Sequence, residues 1–129
     1  MSDILTPISP GELLDKLTIL QIKCEQIKDA QKLANVQVER RLLQSVVDQH
    51  IPVRDDIAKL AIELLTVNQE LWQIEDNIRE CERADDFGPA FIALARAVYV
   101  TNDRRAALKK RVNLALGSAI VEEKSYADY

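Results

Sequence analysis

Five side chains on two apolar-patterned segments carry most of this chain's capacity for specific chemistry: Trp72, Glu75, Arg79, Asn102 and Arg105. Glu75 and Arg79 are four apart, an order and spacing that favour an ion pair on one helix face. If the two segments run antiparallel about a turn at Asp86, Arg105 lies level with Asn68, and Asn102 with Leu71 and Trp72. Glu75 then falls level with Val98, about one turn from Asn102. The five converge, and Lys16 adds a cation from the first helical segment. A buried arginine left without a partner costs several kcal/mol, so the cluster reads in one of two ways. The preferred reading is a structural polar layer that fixes how helices pair. The other is the floor of a ligand site, with Arg79 and Arg105 gripping a carboxylate or phosphate.

Arg104, Arg105, Lys109, Lys110 and Arg111 place five positive charges in eight positions. Positive charge near a helix C-terminus is favoured by the dipole, and acidic groups of a partner copy would neutralise it. A solvated face is therefore preferred over a site for sugar phosphates or nucleic acid. A net charge of −4 also argues against a dedicated nucleic-acid binder, which needs surplus basic charge. Neither metal nor cofactor is expected. His50 is the one histidine and lies beside a helix stop. No Cys/His spacing for zinc, phosphate-cradling glycine loop or nucleophile elbow occurs. Glu12 with Asp15, and Glu82 with Asp85, repeat carboxylates at helical spacing, but capping and turn roles suffice for both pairs.

The elements that must position these groups read as helices. Ile57, Leu60, Leu64, Val67, Leu71, Ile74, Ile78 and Cys81 alternate steps of three and four along a helix of about 54–84, near 45 Å long. Phe91, Leu94, Val98, Thr101, Arg105, Leu108, Val112 and Ala115 keep the same rhythm over 89–116. Asp85-Asp86-Phe87-Gly88-Pro89 turns the chain between them. Upstream, Ser9-Pro10-Gly11-Glu12 is a capping box that opens a helix over about 10–30. Its stripe, Leu13, Leu17, Leu20, Cys24 and Ile27, is widened by Leu14, Ile19 and Ile22, so this helix should touch more than one neighbour. Asn35 is the expected cap of a second helix, 36–50, ended by Ile51-Pro52. The tail, 119–129, lacks helical periodicity, yet Ile120, Val121, Tyr126 and Tyr129 suit it to dock on the bundle. If it folds over the polar cluster it closes a site.

An all-α fold follows: one domain, 1–129, a bundle of about four helices built on the helix 3/helix 4 hairpin. Apolar residues at 47% with three glycines and four prolines describe such a chain, not a disordered or β-rich one. Cys24 and Cys81 fall on apolar positions, where a thiol acts as a small hydrophobe. Two long arms exceed what two other helices cover, leaving Ala61, Leu65 and Trp72, and Ile92, Ala95 and Tyr99, as an apolar strip. A homodimer is expected on that strip. Met1-Ser2-Asp3 opens without a basic leader and no apolar run is membrane-length, so a cytoplasmic protein with no membrane partner is expected.

Ser9 through Leu20, Trp72 through Arg79, Phe91 through Tyr99 with Asn102-Asp103-Arg104-Arg105, and Gly117-Ser118 followed by Glu122 through Tyr126 resemble segments of a family of small bacterial proteins of unknown function. The resemblance covers nearly the whole chain. It implies a bacterial protein linked to surface-polysaccharide assembly and supplies no catalytic residues. The reading that results is a helical interaction or scaffold module with itself or another protein as partner. The alternatives are a binder or metal-independent enzyme for a small anion, sited at Lys16, Trp72, Glu75, Arg79, Asn102 and Arg105, and a nucleic-acid binder using the basic run.

Overall fold

A computed structural model describes residues 3–129; the first two residues of the expected leader-free start lie outside it. The described residues form four helices and no strand: α1 (Pro10–Gln26), α2 (Ala30–His50), α3 (Asp55–Arg83) and α4 (Pro89–Ala115). The all-α hairpin architecture is as expected, and α3 against α4 is the most extensive helix pairing. One boundary differs. The first break falls at 27–29, where the Asp29 side chain caps α2 by accepting from the Lys32 amide at 2.8 Å. Asn35 lies inside α2, its amide oxygen accepting from Gln31 instead. An aspartate just before Ala30 offers the same cap six residues earlier.

The core explains why α1 is central. Leu14 of α1, Ile57, Leu60, Leu64 and Val67 of α3, and Leu108 and Val112 of α4 form one buried cluster, with Val47, Ile51, Leu71 and Leu116 packed against it. α1 packs on all three other helices. Its innermost line is Gly11, Asp15, Thr18 and Ile22, all buried, whereas Leu17, Cys24 and Ile27 of the expected stripe are only half-buried. Gly11, at the head of that line, lets α1 approach the backbone of α4 closely.

Burial is uneven along the hairpin. Every buried residue of α3 lies between Ile57 and Asn68, and every one of α4 between Thr101 and Asn113. Further out, Leu71, Ile74, Ile78 and Cys81 are half-buried. The cause is length: α1 has 17 residues against 29 in α3, or about 26 Å against about 44 Å. The turn between the arms puts Asp85 at φ 53°, a left-handed conformation that aspartate tolerates better than most residues. The Asp86 carboxylate accepts from the Gly88 amide at 3.1 Å.

Candidate functional site

The site grows from the first turn of α1. Ser9 caps the helix, its hydroxyl accepting from the Glu12 amide at 3.2 Å. Glu12 does not complete the capping box; its carboxylate lies 2.6 Å from the Lys109 ammonium and 3.8 Å from Lys16. A charge-assisted contact of this kind outweighs a bond to a neutral amide. At Gly11 the backbone amide donates to Asn113 Oδ1 at 2.7 Å. Asn113 also closes α4, its carbonyl accepting from the Ser118 amide at 2.9 Å beyond Gly117, whose φ is 62°.

One turn into α1, Asp15 is wholly buried. Its Oδ1 accepts from Arg105 Nε at 2.9 Å and from Asn68 Nδ2 at 2.9 Å, while Arg105 Nη2 donates to Oδ2. Asn68 Nδ2 reaches Thr18 Oγ1 at 3.0 Å, and the Thr18 hydroxyl donates to the Asp15 carbonyl at 2.7 Å. Three helices are thus tied by one carboxylate. Among the described residues no buried side-chain polar atom lacks a partner. The fork on Asp15 holds the Arg105 pKa above its ordinary value, against the opposing effect of burial and with help from the charges of Asp15, Glu12 and Glu122.

Around this layer lies a cleft of about 1210 Å³ between α4 and the tail, lined among others by Tyr99, Asn102, Arg105, Lys109, Glu122 and Tyr129. The tail does lie against the bundle, but it is held by polar groups and not by the expected apolar ones, since Ile120, Tyr126 and Tyr129 stay exposed. Glu122 meets Lys109 at 3.2 Å, Glu123 meets Lys110 at 3.1 Å, and Lys124 meets Asp103 at 2.6 Å. The Tyr129 hydroxyl donates to Asp103 Oδ2 at 2.8 Å, and its ring sits edge-on to Tyr99 at 5.3 Å. Lys109 bridges Glu12 and Glu122. Burial works against its charge, but the two carboxylates and Asp15 more than offset this and raise its pKa.

Of the six residues expected to converge, Asn102 and Arg105 line the cleft together. Lys16 is exposed beside Glu12. Glu75 and Arg79 form the expected pair, but on an exposed face of α3, and Trp72 is half-buried outside the cleft lining. The expected register places Arg105 level with Asn68, and the two do meet, on Asp15. Each cation of the basic run has a carboxylate of its own chain: Glu70 for Arg104, Asp15 for Arg105, Glu12 and Glu122 for Lys109, Glu123 for Lys110, and Glu63 for Arg111. No partner copy is needed to neutralise it.

The tail latch is sensitive to pH at both ends. Hydrogen bonds from Lys124 and then Tyr129 hold Asp103 below its ordinary pKa, and the bond to Asp103 holds Tyr129 above its own. A depressed carboxyl contributes to docking above its free-chain pKa and loses that contribution as pH falls through the docked value. A raised phenol contributes below its free-chain pKa and loses it as pH rises through the docked value. Near-ultraviolet circular dichroism of the tyrosines should therefore be flat across neutral pH and fall away at both extremes. Asp103→Asn, which removes the partner of both Lys124 and Tyr129, should abolish both limbs.

The whole of this arrangement lies within residues 4–129, which match the model of a family of unknown function, DUF6165. The chain belongs to that family. No curated protein and no solved structure matches it. No described helix is long and apolar enough to cross a membrane.

Proposed function

We infer that the protein is a helical interaction module that pairs with a second copy of itself through the outer part of the α3–α4 hairpin. Its exposed surface supports this reading. The chain presents 8985 Å² to solvent, about 2,000 Å² more than a compact monomer of 14.6 kDa is expected to show. Obligate homodimers cover areas of that order. Phe87, Ile92, Tyr99 and Val100, at 40–56% exposure, crowd large apolar groups into the turn and the first half of α4. The expected strip is narrower than the sequence pattern implies, because Ala61 and Leu65 face α1 and α2 across a small groove.

The outer face of α2 offers the competing surface, with Val38, Leu42 and Val46 exposed at four-residue spacing. Light scattering on paired variants separates the two. The parent should run near twice its chain mass. Ile92→Glu should raise the dissociation constant by on the order of 100-fold, since it buries a carboxylate in an apolar contact, while Leu42→Glu should leave it unchanged. A monomeric parent, or dissociation by Leu42→Glu alone, would refute the assignment.

The anion-binding alternative is the weaker one on this geometry. Lys16, Arg79 and Arg105 each already hold a carboxylate, so a ligand would have to displace one. Nucleic-acid binding by the basic run meets the same obstacle five times over.

A further inference from the structure

We propose that residues 118–129 form a strap latched by ion pairs, which opens over the α4 cleft as ionic strength rises while the four helices stay folded. Two observations lead there. First, the strap has almost no apolar anchor: beyond Leu116, only Ser118 and Val121 are even half-buried, and Ile120, Tyr126 and Tyr129 are exposed. Second, its hold on the helices is polar and solvent-facing. The side chains of Glu122 and Glu123 are 64% and 71% exposed, and those of Asp103 and Lys124 are 40% and 32% exposed.

Ion pairs of this kind are individually weak and are screened by salt. Against them stands the backbone entropy lost on ordering a dozen residues. The helices are held by different means, a buried apolar cluster and the enclosed Asp15 layer, neither of which salt reaches. Screening therefore separates the two. The opened strap leaves Lys110 without its carboxylate, leaves Lys109 to Glu12 alone, and parts the Tyr129 ring from Tyr99. Asn102 and Arg105 in the cleft lining, half-buried while the strap is docked, then become more open to solvent.

Trypsin reports on the latch through the bond after Lys124, whose ammonium is engaged by Asp103 while the strap is docked. The measured quantity is release of the peptide Ser125–Tyr129 from the full chain, normalised to cleavage of a free peptide spanning 118–129. Raising sodium chloride from about 20 mM to about 500 mM, where the screening length falls well below 10 Å, should speed release about tenfold. Helical circular dichroism should not change. The Glu122→Gln/Glu123→Gln double variant and Asp103→Asn should each release the peptide fast at both salt concentrations. Release that ignores salt and variants, or that rises only as the helical signal falls, overturns the strap.

Discussion

Asp15→Ala is expected to cost about 3–5 kcal/mol, the range for removing one partner of a buried ion pair. Single domains are held by only about 5–15 kcal/mol in total, so the variant should be unfolded or close to it near room temperature. Two groups lose an acceptor at once: the Arg105 fork, and the Asn68 amide, which keeps only its bond to Thr18 Oγ1. Arg105→Ala should cost at least as much. It leaves the Asp15 carboxylate, 1% exposed, with a bond from Asn68 alone, whereas the arginine stranded by Asp15→Ala keeps 28% of its side chain in solvent. Replacing both, as Asp15→Leu with Arg105→Met, should recover much of the loss, because apolar substitutes for a buried pair are often neutral. Asn68 would still lack one partner. Urea unfolding of the three variants decides it. If Asp15→Ala unfolds within about 1 kcal/mol of the parent, the layer is not what holds α1 to the hairpin, and Arg105 regains its standing as a ligand group.

The sequence makes the hairpin legible because an amphipathic helix writes its buried face in steps of three and four, and α3 and α4 do so over many turns. It also makes Arg105 conspicuous, since an arginine on a packed stripe demands a partner. The partner itself was hidden. Asp15 sits just after a capping sequence, three residues beyond Glu12, so a role at the helix start suffices for it in the sequence. What betrays its true position is the line Gly11, Asp15, Thr18, Ile22, a single helix face with two side chains too small and polar for an ordinary core. The stronger leucine stripe beside it masks that line. The cap of α2 is ambiguous in the sequence for a related reason: Asp29 and Asn35 are both good caps, and periodicity through 30–35 is too weak to choose. Only level along the hairpin groups Trp72, Glu75 and Arg79 with Asn102. Level says nothing about which way round the helix a side chain points, and Glu75 and Arg79 point to solvent.

Gly11→Ala tests the same contact between α1 and α4 from the backbone side. Within a helix this change ordinarily stabilises by about 0.5–1 kcal/mol, because glycine loses more freedom on folding. Here the sign should reverse. A Cβ at Gly11 would lie 2.4 Å from the Lys109 carbonyl oxygen and 2.8 Å from Asn113 Oδ1, and the first of these is backbone that cannot rotate away. The start of α1 must then back off from α4, which strains the packing by about 1–3 kcal/mol and strands the buried Asn113 side chain for about 1–3 kcal/mol more. A net loss of roughly 2–5 kcal/mol is expected. Gly88→Ala provides the comparison: its nearest neighbour is Asp86 Oδ1 at 3.3 Å, the end of an exposed side chain that can move, so the effect there should stay within about 1 kcal/mol. Should Gly11→Ala prove as stable as the parent, α1 cannot approach α4 as closely as the Gly11–Asn113 bond requires. Asp15 would then sit too far from Arg105 to be the tie between helices.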